Sequence, residues 1–135
     1  MKYKYQSEIP KKGEGPSHKK GVQNVIDFIN STNPKIDVYR GWLVKYNPHF
    51  VRRENIDWTP EHEYDIAIKN GFKYTYIEID GSSHDSKTRK IKDGIAEKHA
   101  RETGVQVVRL SLTECLGDEE DVELYLMRVL RKYIK

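Results

Sequence analysis

Residues 61–85, EHEYDIAIKNGFKYTYIEIDGSSHD, hold the strongest constraint in the chain: Asn70-Gly71 lies between two runs in which apolar and polar residues alternate. Asn-Gly in that setting is the clearest short-range signal for a β-hairpin, and a two-residue turn on it pairs Lys69 with Phe72 and sets the register. Side chains alternate along a strand. Glu63, Asp65 and Ala67 are therefore expected on one face with Tyr74, Tyr76, Glu78 and Asp80, and Tyr64, Ile66, Ile68, Ile77 and Ile79 on the other. Asp65 then lies across from Tyr76 and becomes a diagonal neighbour of Glu78, about 7–8 Å away at the backbone.

Four carboxylates on one side of strands whose other side is apolar call for a cation, a proton or a nearby base, because unpaired buried charge is costly. With His84 following closely, the group reads as a divalent-metal site. The alternative is an acidic sheet face left in water.

A chain of 135 residues, 36% hydrophobic and 33% charged, is enough for one domain with one core. The single cysteine, Cys115, excludes an intramolecular disulfide and any cysteine-built zinc or iron–sulfur site; it is expected buried and points to a reducing interior. No apolar run approaches the length that crosses a bilayer, and MKYKYQSEIPKKGEG lacks the apolar segment of a signal peptide, so the expectation is a cytoplasmic, intracellular protein away from membranes.

The net charge is only +3, but Lys2, Lys4, Lys11, Lys12, Lys19 and Lys20 crowd the first twenty residues. Residues 1–16 read as a flexible basic arm and 17–135 as the single domain. The arm could face phosphates, with Tyr3 and Tyr5 stacking on bases, or serve only as a solubilising tail.

Beyond the arm, Ser17 can cap a helix with Val22, Val25, Ile26 and Ile29 on its apolar face. Residues 36–46 read as a strand bent at Gly41, and Asn47-Pro48 opens an irregular segment that exposes Arg52 and Arg53. After the hairpin, Asp85 or Ser86 can cap a helix that Gly104 stops; Ile91, Ile95, Ala96 and Ala100 would pack inward, and Lys87, Lys90 and Arg101 would form a basic ridge. Residues 105–112 should form a strand parallel to its predecessor, and a last helix begins at Asp118 with an acidic first turn and a basic end. The order implies α/β layering around a mixed four-stranded sheet flanked by helices. Trp42 and Trp58 read as core or edge aromatics. His18, His49, His62 and His99 read as structural or surface residues.

At this point the chain resembles the PD-(D/E)XK nuclease superfamily, with its αβββαβα restriction-endonuclease-like core, an acid on the second strand and Glu-x-Lys on the third. Asp65 and Glu78 fall in those places. Glu78-Ile79-Asp80-Gly81, His84, Asp93, Gly104 and Val107-Val108-Arg109 look closest to the very-short-patch-repair-like endonucleases. Asp80 stands where the lysine is usual, and the usual first-helix acid has no clear match, the helix offering only His18, Gln23 or Asn24.

The resemblance implies a metal-dependent endonuclease acting on DNA, with Asp65, Glu78, Asp80 and His84 as catalytic residues. Asp65, Glu78 and the Ile79 carbonyl would hold Mg2+, with Mn2+ as a substitute. Magnesium takes about six oxygens and keeps several waters, so such a set suffices. His84 would carry a proton or, alternatively, only cap a helix. Arg52, Arg53, Lys87, Lys90, Lys19 and Lys20 would grip the backbone, and Arg109 would meet a phosphate or a carboxylate. Cutting both strands commonly takes two active sites, which makes a homodimer an expectation. The rival reading is a catalytically inactive nucleic-acid-binding module of the same fold.

Overall fold

The computed structural model describes residues 4–5, 15–81 and 86–135. Along these run β1 (Lys4–Tyr5), α1 (Pro16–Thr32), β2 (Asp37–Lys45), α2 (Pro48–Arg53), β3 (Glu61–Asn70), β4 (Lys73–Asp80), α3 (Lys87–Glu102), β5 (Gln106–Ser111), α4 (Leu112–Cys115) and α5 (Glu119–Leu130), with a 3-10 turn at Arg131–Tyr133. The sheet order follows the numbering. β2, β3 and β4 are antiparallel neighbours, and β5 joins β4 in the parallel sense after the α3 crossover. The mixed four-stranded α/β sheet is thus as expected. Part of the supposed arm extends it: Lys4 and Tyr5 pair with Tyr39 and Arg40.

The sheet separates two apolar layers. On one side Val22, Val25, Ile26 and Ile29 of α1 and Leu126 and Leu130 of α5 cover Ile66, Ile68, Ile77, Ile79 and Leu110. On the other, Ala96 and Ala100 of α3 and Phe50 of α2 cover Tyr64, Ala67 and Tyr76. Each isoleucine so buried contributes about 1.5–3 kcal/mol, which fixes the faces of these strands.

Local signals explain most element ends. Pro16 occupies the first turn of α1 after Gly15, two places earlier than a Ser17 cap would allow; its fixed φ suits that position. The segment after Asn47 is not irregular throughout: the Asn47 side chain accepts from Phe50 N–H at 2.8 Å and starts α2. Ser86 caps α3, and Gly104, at φ +79°, ends it. Ile91 is 52% exposed rather than inward, because burial on α3 begins only at Ala96. Among the described residues no helix is long and apolar enough to cross a membrane.

The hairpin differs from its expected form in two ways that shape the site. Lys69 pairs with Tyr74 and Asn70 with Lys73, so Gly71 (φ +66°) takes the first loop position and Phe72 the second. Asp65 is thereby no longer across from Tyr76. Alternation also breaks: Tyr64 packs under α3 with Ala67, three residues on, whereas Ile66 faces α1. The break lies opposite Gly41 of β2, whose φ of +69° interrupts pairing between Arg40↔Ile66 and Trp42↔Tyr64.

Candidate metal centre

The β3–β4 ladder runs from Asn70↔Lys73 to Ile66↔Ile77. Continued, it would pair Tyr64 with Ile79. Instead, side chains take both backbone groups of Ile79: its N–H donates to Asp65 Oδ2 at 2.8 Å, and its carbonyl oxygen lies 3.3 Å from His18 Nε2. The same nitrogen lies 3.4 Å from Asp65 Oδ1. Two oxygen acceptors, Asp65 Oδ1 and the Ile79 carbonyl, therefore converge on one point, and a donor N–H from the first turn of α1 sits there.

Burial makes this arrangement exacting. Asp65 is 4% exposed, so its charge depends on the donors around it. The sequence points to Asp65 and Ile79 as a pair, and to His18 only as one of three first-helix residues, with Gln23 and Asn24, at the usual place of an acid. The only local signal for His18 was its place among the polar residues of the first helix. The contact spans 61 residues of chain.

Glu78, also 4% exposed, alternates with Ile77 and Ile79 and so faces α3. Its Oε1 lies 2.9 Å from His62 Nε2, and the His62 ring packs edge-on against Tyr64 at 4.5 Å. His62 is thus a histidine that sequence reasoning missed. Asp65 converges with a carbonyl, while Glu78 engages His62. Among the described residues no three His, Cys, Asp or Glu side chains lie close enough together to hold an ion. His84 lies outside the described residues.

At the end of β4, Asp80 Oδ2 accepts from Arg109 Nη1 at 3.0 Å. Arg109 also bonds Glu97 through Nε and approaches Asp93 at 3.8 Å. Burial opposes its charge, but the hydrogen bonds to Glu97 and Asp80 outweigh burial and raise its pKa above the ordinary guanidinium value. Arg109 therefore serves carboxylates rather than standing ready for a phosphate.

The remaining basic candidates divide. Lys19 and Lys20 are exposed on α1, beside His18, and Lys87 and Lys90 are exposed on the first turns of α3. Arg52 is exposed on α2. Arg53 is committed to Glu54 and Glu102, at 2.9 and 2.5 Å, which raise its pKa. The expected basic grip loses that member.

Compared with protein-family models, with curated proteins and with solved structures, the chain matches none. Fold and site together define a class of architecture: an α/β protein whose mixed sheet opens, where β3 and β4 part, onto two convergent oxygen acceptors. Hard cations prefer such oxygens, and a carboxylate with a strand carbonyl is a protein contribution that Mg2+ can complete with water.

Proposed function

We propose that this chain is a metal-dependent endonuclease hydrolysing DNA phosphodiester bonds. The observation that carries the reading is the convergence of Asp65 Oδ1 and the Ile79 carbonyl within 3.4 Å of a single point. A Mg2+ or Mn2+ ion held by these oxygens would lower the pKa of a bound water and offset charge on the scissile phosphate. His18 Nε2, 3.3 and 3.4 Å from the two oxygens, would have to yield that place to an ion. His62 holds the Glu78 carboxylate in one orientation from the α3 side. Arg109 sets a positive charge against Asp80, so the aspartate at the usual place of a lysine adds no uncompensated negative charge next to a phosphate. His84 is the proposed proton carrier, its ordinary pKa of about 6.5 suiting that role. The order from α1 to α5, with β5 parallel to β4, supports a restriction-endonuclease-like αβββαβα core.

The test is incubation of plasmid, branched and single-stranded DNA with Mg2+ or Mn2+, comparing the intact chain with Asp65→Ala and Glu78→Ala. Cutting by the intact chain and its loss in both variants is expected. Equal cutting by all three removes the assignment. One observation favours a second reading, a nucleic-acid-binding module without catalysis: the strand position of the usual lysine carries Asp80, tied to Arg109. That reading predicts DNA binding and no heat of metal binding by calorimetry.

A further inference from the structure

The outer edge of β5 pairs with no strand among the described residues. A groove of about 830 Å³ runs along it, lined by Val107, Arg109, Arg128, Arg131, Lys132 and Lys135. Arg128, Arg131, Lys132 and Lys135 are all exposed and line this one groove, from the last turn of α5 through the 3-10 turn to the residue pair after it. None of the four has a carboxylate within 4 Å among the described residues. That separates them from Arg53, Lys98 and Arg109, whose charges are spent on Glu102, Glu54, Glu97 and Asp80. Arg128 and Lys132 lie over the rings of Tyr125 and Tyr133, at 5.6 and 5.0 Å, contacts that support the side chains without cancelling their charge.

We infer that this groove is a binding track for a nucleic-acid backbone. The stripe from residue 128 to 135 spans about 10 Å. A nucleic-acid strand carries one charge per roughly 3.4 Å of axis, so the stripe faces about three phosphates. The groove also reaches Arg109, which bonds Asp80 at the end of β4. An acidic peptide adding a strand to β5 is the rival occupant. It is disfavoured because the groove's apolar lining, Val107, Val108, Val129 and the Tyr133 ring, is interleaved with five cations, and an added strand takes its specificity from side-chain pockets. The inference rests on the nucleic-acid part of the proposed function and not on cleavage.

Fluorescence anisotropy with a labelled duplex oligonucleotide in EDTA, titrated at several salt concentrations, tests it on the full chain. The variant is Arg128→Gln/Arg131→Gln/Lys132→Gln, and Lys73→Gln at the exposed hairpin end is the charge control. Circular dichroism and melting confirm that each is folded. The triple variant should lose about 0.9 per cation, in all about 2–3, from the slope of log K against log salt, and bind at least about tenfold more weakly at low salt. Lys73→Gln should leave the slope as it was. An unchanged slope in the triple variant overturns the assignment. So does binding of a poly-glutamate peptide through these residues when the duplex is not bound. Because EDTA excludes metal-dependent cutting, a chain that binds through the groove but cuts nothing upholds this inference while removing the catalytic one.

Discussion

Replacing Asp65 by Asn and by Ala separates what its oxygen does for the fold from what its charge does for a cation. Asp65 Oδ2 accepts from Ile79 N–H at 2.8 Å in a buried place where no strand pairing is available to that N–H. Alanine leaves it unsatisfied, and such a loss costs about 1–3 kcal/mol. Asparagine keeps an oxygen there and removes a buried negative charge, so in EDTA its stability should stay within about 1 kcal/mol of the intact chain, or exceed it. The variants part from the intact chain when metal is added. At a concentration about a hundred times the dissociation constant, an ion bound only by the folded state adds about 2.7 kcal/mol. For a domain of this size that is on the order of 10 °C in melting temperature. Differential scanning fluorimetry with and without Mn2+ reads this shift. The intact chain should show it, and Asp65→Asn, though folded and at least comparably stable in EDTA, should not. An equal metal-induced shift in both would refute the reasoning, since it would place the ion away from Asp65.

The other predictions concern the layer under α3 and the thiol. His99 is 6% exposed between Tyr46 and Phe50, ring centroids 4.7 and 4.8 Å away, and burial lowers its pKa below 6.5 against the opposing pull of Glu102. The unfolded chain then takes up this proton first, so stability falls as pH drops from about 6.5 toward the folded value, by at most about 1.4 kcal/mol per unit. Urea unfolding between about pH 6.5 and 5.5 should show a flatter profile for His99→Leu, and coincident profiles would contradict the assignment. Tyr64→Phe removes the bond from its hydroxyl to the Ala96 carbonyl, 3.2 Å long, and should cost about 0.5–1.5 kcal/mol by urea midpoint; no loss would show the bond to be idle. Cys115 is fully buried and burial pushes its thiol pKa up to about 12, so Ellman's reagent should read no thiol in native buffer and one in denaturant.

Much of the fold was legible because its causes are local. The apolar spacing of Val22, Val25, Ile26 and Ile29, the Ser86 cap, the Gly104 stop and the parallel return of β5 each depend on a few neighbouring residues. The hairpin register was not, because Asn70 is held from afar. Its side-chain amide donates to the carbonyls of Tyr133 and Lys135, at 3.1 and 2.9 Å, which keeps it in the strand facing Lys73 and moves the loop on to Gly71 and Phe72. Phe72 is left 98% exposed at the tip. Turn chemistry alone would have placed Asn70 in the loop.

The candidate site was legible in its acids and carbonyl and illegible in its histidines, for a related reason. Period-two alternation holds only while each residue pairs across the ladder, and at Asp65 it fails because Gly41 opposite adopts a conformation that branched residues avoid. A strand that kept the rule would pair Tyr64 with Ile79 and close the sheet. With the rule broken, Tyr64 turns under α3, Asp65 reaches into the gap, and the Ile79 backbone groups pass from the ladder to Asp65 and His18. Where a sequence departs from its own local pattern, a site is the natural place to look. Here the departure and the convergence of oxygens are one structural event, so a regular β3 could be better paired, but it could not hold these two acceptors open.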